Sequence, residues 1–203
     1  MPFLLRVELP DVPGSLGRVA TAIGEAGGDI EAIEIVEKRS DGCAVDDVLL
    51  EMAPGAMPDS VVSACNGLPG VRVVWISRYA AGGNLFLDLE AVEELTADPA
   101  RAADKLIDIL PITFRADWAA RVHETDGVVY ATEAAPAALP WVSIGRADHL
   151  PTDDDNVHCA ARLNKHEIVV IGRRGGPEFL ESELARLGHL VGLAQSIVKS
   201  GGR

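Results

Sequence analysis

Polar and apolar positions along the first 80 residues switch between strand-like alternation and helical spacing in a regular order. Phe3 to Leu9 predicts a strand, closed by Pro10 and Pro13. Ser15 to Ala26 predicts a helix with Leu16, Val19, Ala20 and Ile23 on one face, and Gly27-Gly28 ends it. Ile30 to Lys38 reads as a strand with Ile33 and Ile35 on one face, alternating with Ala32, Glu34 and Val36. The turn Arg39-Ser40-Asp41-Gly42 leads into a strand from Ala44 to Met52. Pro58 and Asp59 open a second helix that runs to about Asn66, and Leu68-Pro69-Gly70 turns into a last strand, Val71 to Arg78. The resulting order, β-α-β-β-α-β, is the split ferredoxin-like plan of an α+β fold.

The rest of the chain follows a different rhythm. Ala80-Ala81-Gly82-Gly83-Asn84 is a small-residue segment that reads as a linker, so domains are expected over 1–80 and 85–203, with 81–84 between them. Helical spacing marks Leu85 to Thr96 and then Pro99 to about Leu110, where Leu106, Ile107, Ile109 and Leu110 form a stripe. Trp118–His123 and Val128–Thr132 predict a hairpin around Asp126-Gly127. Loops follow at Ala134–Ala138 and Pro151–Asn156. A second hairpin, Val157–Leu163 with Glu167–Arg173, turns at Asn164-Lys165. A long terminal helix is expected from Glu178 to Val198, with an apolar surface broad enough to meet a sheet and a second subunit.

Charge narrows the range of partners. The 203 residues carry a formal net charge of -13, which disfavours nucleic-acid binding, because that needs basic side chains to displace counterions. Hydrophobic residues make up 48% of the chain but aromatics only 4%, so the cores must be built from aliphatic side chains. Cys43, Cys65 and Cys159 show no paired spacing, which suits a reducing compartment and leads us to expect a cytoplasmic protein. Neither a secretory leader nor a run of ~20 apolar residues is evident, so no membrane partner is expected.

One stretch points to chemistry. Asp11-Val12-Pro13-Gly14-Ser15 ends a strand in a tight turn and opens a helix, aiming backbone N–H groups at one spot where an anion or amino acid could sit. Asp11 also suits a turn-and-cap role, and Gly14 a purely geometric one. Gly172-Arg173-Arg174-Gly175-Gly176-Pro177 is a second candidate anion site, although solvated arginines at a strand end explain it as well. His158-Cys159 with His166 lacks zinc spacing, and the two neighbours should face opposite sides of a strand. We expect no metal or cofactor. His149 beside Asp148 has no accompanying nucleophile, and Trp118 and Trp141 suit core packing.

On these residues the first 80 positions resemble an ACT domain, an amino-acid-sensing module of many biosynthetic enzymes. The strand Leu4–Leu9, the D-x-P-G turn at Asp11, Leu16 in the helix and Gly28-Asp29-Ile30 leading into the next strand carry the resemblance. Residues 85–198 resemble a GAF-type sensor domain in element order. The ACT resemblance implies an amino-acid site at a homodimer interface. Asp11, Val12, Pro13, Gly14 and Ser15 would come from one subunit, and Asp29 and Ile30 from the partner or the same chain. Asp29 stands where several family members carry asparagine; a carboxylate there would accept from an α-ammonium but repel an α-carboxylate. The expected function is non-enzymatic ligand sensing transmitted through dimer geometry to a regulated protein. Two alternatives stay open: an enzyme or enzyme subunit using Arg173, Arg174 and His149 or His158 on an acidic substrate, and an assembly module that binds nothing.

Overall fold

A computed structural model describes residues 2–78, 84–151 and 156–201, in two compact units, Met1–Gly83 and Asn84–Arg203. Most of the expected linker, and the aspartates Asp153 to Asp155, lie outside the described residues. The first unit comprises β1 (Pro2–Pro10), α1 (Ser15–Glu25), β2 (Gly28–Lys38), β3 (Cys43–Met52), α2 (Pro58–Asn66) and β4 (Arg72–Arg78). Its antiparallel sheet runs β2-β3-β1-β4. Leu5, Val7 and Leu9 of β1 and Ala44, Val48 and Leu50 of β3 alternate onto one face and form a core with Val19, Ile23, Val61 and Cys65 of the two helices. On the other face Arg6 and Asp47 sit directly opposite each other, both 2% exposed, joined by Nε–Oδ1 and Nη2–Oδ2 bonds of 2.7 and 2.9 Å.

The strand β2 departs from the sequence expectation. Its alternation suggests a half-buried strand, yet Ile33 and Ile35 are exposed, at 36% and 51%. The reason is position: β2 lies at the sheet edge, and its register against β3 shifts at Ile30/Ala32 and Ile35/Glu37, so its pattern is not tied to one covered face.

The second unit comprises α3 (Asn84–Ala97), α4 (Ala102–Phe114), β5 (Trp118–His123), β6 (Gly127–Ala131), β7 (Ala147–Leu150), β8 (Asn156–Arg162), β9 (Glu167–Arg174) and α5 (Glu181–Gly201). Its sheet runs β6-β5-β9-β8-β7, antiparallel throughout. Leu106, Ile107 and Leu110 of α4 and Leu184, Leu187 and Val191 of α5 pack against Ala119, Ala161, Val169 and Ile171 on one face. On the other, Trp118, Ala160 and Val170 are covered by Leu139, Trp141, Val142 and Ile144 of the β6–β7 connection. Gly172 is required there, because a Cβ would stand 2.3 Å from Trp118 Cζ2.

Three boundaries differ from expectation. α4 runs through Pro111 to Phe114 and ends with Arg115 at φ 50; proline removes only the bond to the Ile107 carbonyl, and the buried stripe continues in Thr113 and Phe114. β7 is absent from the sequence reading: four residues, Ala-Asp-His-Leu, are too short and polar to signal a strand, and they pair because β8 offers a free edge. α5 begins at Glu181 instead of Glu178, because the Leu180 amide is held by Glu183 Oε2 at 2.8 Å, fixing the first turn there. None of the described helices is long and apolar enough to cross a membrane.

Candidate functional site

The turn after β1 is built by the backbone. The Asp11 amide donates to the Gly42 carbonyl at 2.8 Å, and the Val12 amide to Pro10 at 2.9 Å. Gly14, at φ 88, is the N-cap of α1 and occupies the left-handed region that a side chain disfavours. No side chain caps the helix and no acidic residue lies in its first turn. Its N-terminal dipole therefore lacks a protein counter-charge of its own. The Asp11 carboxylate does not serve as that cap. It accepts from Lys38 Nζ at 3.0 and 3.1 Å, tying the turn to the far end of β2. Ser15 is buried, and its Oγ accepts from Arg18 Nη2 at 3.1 Å.

Asp29 and Ile30 open β2, whereas Lys38 closes it. Nine residues of extended chain separate Asp29 from Lys38, on the order of 30 Å. Within one chain, then, Asp11, Val12, Pro13, Gly14 and Ser15 gather at one end of the sheet. Asp29 stands at the other, in a depression of about 720 Å³ shared with Glu51, Gly24 and Gly28, while Ile30 packs toward the helix-side core.

A residue the sequence reading did not single out lies beneath the turn. Asp46 faces Val7 across the sheet and lies between Ala44 and Val48 on the helix-covered face. It is 2% exposed, and its Oδ1 has no hydrogen-bond partner. Burial, then the nearby Asp11 and Asp47 carboxylates, push its pKa up to about 6, with Lys38 opposing them. The signal was present in Asp46-Asp47: two consecutive carboxylates inside an apolar strand force one of them onto the core face.

Arg173 and Arg174 have structural partners. Arg173 is 3% exposed; its guanidinium donates to the carbonyls of Phe114 (2.8 Å) and Pro177 (3.1 Å), pairs with Glu183 at 2.6 Å, and stacks over the Phe179 ring at 3.9 Å. That arginine is committed to the interior and is not offered to an external anion. Arg174 reaches the Ala134 carbonyl at 2.8 Å. His158 meets the Trp118 ring edge-on at 5.1 Å, whereas Cys159 faces the opposite, helix-covered core. Burial raises the thiols of Cys65 and Cys159, so neither is a thiolate nucleophile at neutral pH. His149 Nε2 lies 3.9 Å from Glu181. Among the described residues no three His, Cys, Asp or Glu side chains converge in a metal-binding group.

Residues 3–53 match the family model of the ACT domain, so the chain carries an ACT domain that includes the turn, α1, β2 and Asp46. Over 74 residues the chain is 38% identical to NAD-dependent malic enzyme 1 of Bacillus subtilis (strain 168), an alignment covering 36% of this chain. It spans only 17% of that enzyme's length. Among solved structures it is similar to the GAF domain of an Acinetobacter phosphoenolpyruvate-protein phosphotransferase. That match has 9% identity and a TM-score of 0.45, covering 61% of this chain and 96% of the other. A GAF domain assigned to a sensor histidine kinase of Pseudomonas syringae pv. tomato is also similar, at 10% identity and a TM-score of 0.45, covering 59% of this chain and 87% of the other.

Proposed function

We propose that the protein is a non-enzymatic, ligand-sensing regulator. It binds an amino acid where the Asp11–Ser15 turn of one ACT domain meets the start of β2 of a second copy, and it signals through the geometry of that dimer. The observation that carries this reading is the free edge of β2. An eleven-residue edge strand exposing Ile33 and Ile35 is a surface that soluble proteins ordinarily cover. Antiparallel pairing of two β2 edges, centred between Ile33 and Glu34, sets Asp29 of each copy opposite Lys38 of the other. Lys38 is in turn bonded to Asp11, so the two halves of the expected site, separated within one chain, come together across the two-fold axis.

In that arrangement the uncapped α1 N-terminus favours the ligand's α-carboxylate, and Asp29 of the second copy accepts from its α-ammonium. The ligand shifts dimer geometry by no more than its difference in affinity between the two states. Similarity to a small fraction of a much longer enzyme fits a regulatory module better than a catalytic one. Regulation of a separate protein partner follows from this reading.

Sedimentation equilibrium and a thermal-shift screen of the twenty amino acids test it. The expected result is a dimer that Ile35→Lys converts to monomer, and stabilisation by one or a few amino acids that is lost in Asp29→Ala and in Gly14→Val. A dimer that responds to no amino acid favours the assembly reading. A monomeric wild-type chain removes the proposed site altogether.

A further inference from the structure

The second unit holds a pocket of about 600 Å³ that none of the features above accounts for, framed by the β6–β7 connection, the β8–β9 turn and α5. Its charged lining residues, Arg146, Arg162 and Lys165, are all basic. The Arg162 amide donates to the Arg146 carbonyl at 3.0 Å, so the β7–β8 ladder fixes these two arginines side by side at the pocket rim. Lys165 joins them from the β8–β9 turn. That turn is pinned by Asn164 Oδ1, which accepts the His166 and Glu167 amides at 2.8 and 3.0 Å, and Asn164 Nδ2 draws the Glu167 carboxylate to itself at 2.9 Å.

Among the described residues none of the three cations pairs with a carboxylate; Arg146 Nη2 donates to His189 Nδ1 at 2.6 Å. In a chain of net charge -13, a pocket lined by three cations and by no carboxylate is a local reversal of the prevailing field. The Trp141 and Ile144 side chains line the same pocket and bring apolar surface to it. Gly192 on α5 has open space where a side chain would project, which keeps the pocket accessible.

From this lining we infer that the pocket binds a small organic molecule bearing at least two anionic groups, carboxylate or phosphate, on a planar or apolar body. Arg146, Arg162 and Lys165 take the charges, and the Trp141 and Ile144 side chains meet the body. The volume lies within the range of small-molecule sites and exceeds what an inorganic ion fills. The unit, ligand charge and residues all differ from those of the amino-acid site, so either proposal can fail without the other.

Calorimetric titration of the full chain with citrate, pyrophosphate and adenosine monophosphate at low ionic strength tests the inference. At least one is expected to bind saturably, with a change in tryptophan fluorescence. Affinity should fall tenfold or more in Arg162→Ala/Lys165→Ala, whose side chains have no partner among the described residues, while melting without ligand stays unchanged. Preference for citrate over the two phosphates, or the reverse, separates a carboxylate ligand from a phosphate one. Arg174→Ala should leave binding intact. Binding that survives the double variant, or is lost in Arg174→Ala instead, overturns the assignment, as does the absence of saturable binding by all three probes.

Discussion

Replacing Glu183 with alanine is expected to lower the stability of the second unit by about 3–5 kcal/mol, the cost of stranding a buried charge. Glu183 is 7% exposed and Arg173 3%, so neither can turn to water when its partner is removed. The pair also joins two helix ends. Arg173 brings a positive charge to the Phe114 carbonyl at the C-terminus of α4, and Glu183 brings a negative one to the first turn of α5, where its Oε2 accepts the Leu180 amide. Each charge thus opposes the dipole of the helix end it touches. Glu183→Ala removes the counter-charge and uncaps α5 together. Urea unfolding in a Trp75→Phe background checks it, since the remaining tryptophans, Trp118 and Trp141, both report on this unit. Arg173→Ala should cost a similar amount, and the double variant about 1–3 kcal/mol less than the sum of the two, because the second removal abolishes a charge the first left unpaired. Additive losses would show that the two residues act separately.

How much of this was legible beforehand depends on whether a feature is local or needs a face and a partner. The strand β1, the turn at Asp11 and the helix α1 declare themselves because proline, glycine and the spacing of Leu16, Val19 and Ile23 act within a few residues. The hairpin β5–β6 does so through Asp126-Gly127. β7 does not, since its pairing is supplied by β8 and not by its own composition. Exposure at Ile33 and Ile35 was hidden for a related reason: alternation gives the period of a strand but not whether a neighbour covers it. Arg173 illustrates the reverse error. An Arg-Arg-Gly-Gly segment reads as a flexible anion grip, yet the carbonyls left open by α4, far away in sequence, claim the first arginine. The separation of Asp11 from Asp29 within one chain likewise follows from the length of β2 and its direction.

Asp46→Asn is expected to stabilise the first unit at pH 7.5 by roughly 1–3 kcal/mol, with the gain vanishing toward pH 4. The ionised carboxylate is buried beside Val7, Ala44 and Val48, with Oδ1 unpartnered and with Asp11 and Asp47 nearby, against the single opposing charge of Lys38. Its pKa in the folded chain is about 6, against 3.8 for the free group. Below pH ~4 both states hold the proton and the group has no effect on stability. Between pH 4 and 6 the folded state still holds it while the unfolded state releases it, so rising pH favours unfolding. Above pH ~6 both states are ionised, and the folded state carries a constant penalty, at most ~3 kcal/mol from the gap between the two pKa values. Asparagine mimics the protonated form at every pH, so the difference between variant and wild type should trace this profile and level off above pH ~6. Thermal unfolding at several pH values, followed through Trp75, would show it; a pH-independent difference would mean that packing, not charge, sets the cost. On the proposed reading its negative charge lies beneath the turn that receives the ligand's α-carboxylate, which it opposes. Asp46→Asn should then raise the melting temperature of the free protein and also enlarge the further rise given by the stabilising amino acid, a second change that a purely structural residue would not produce.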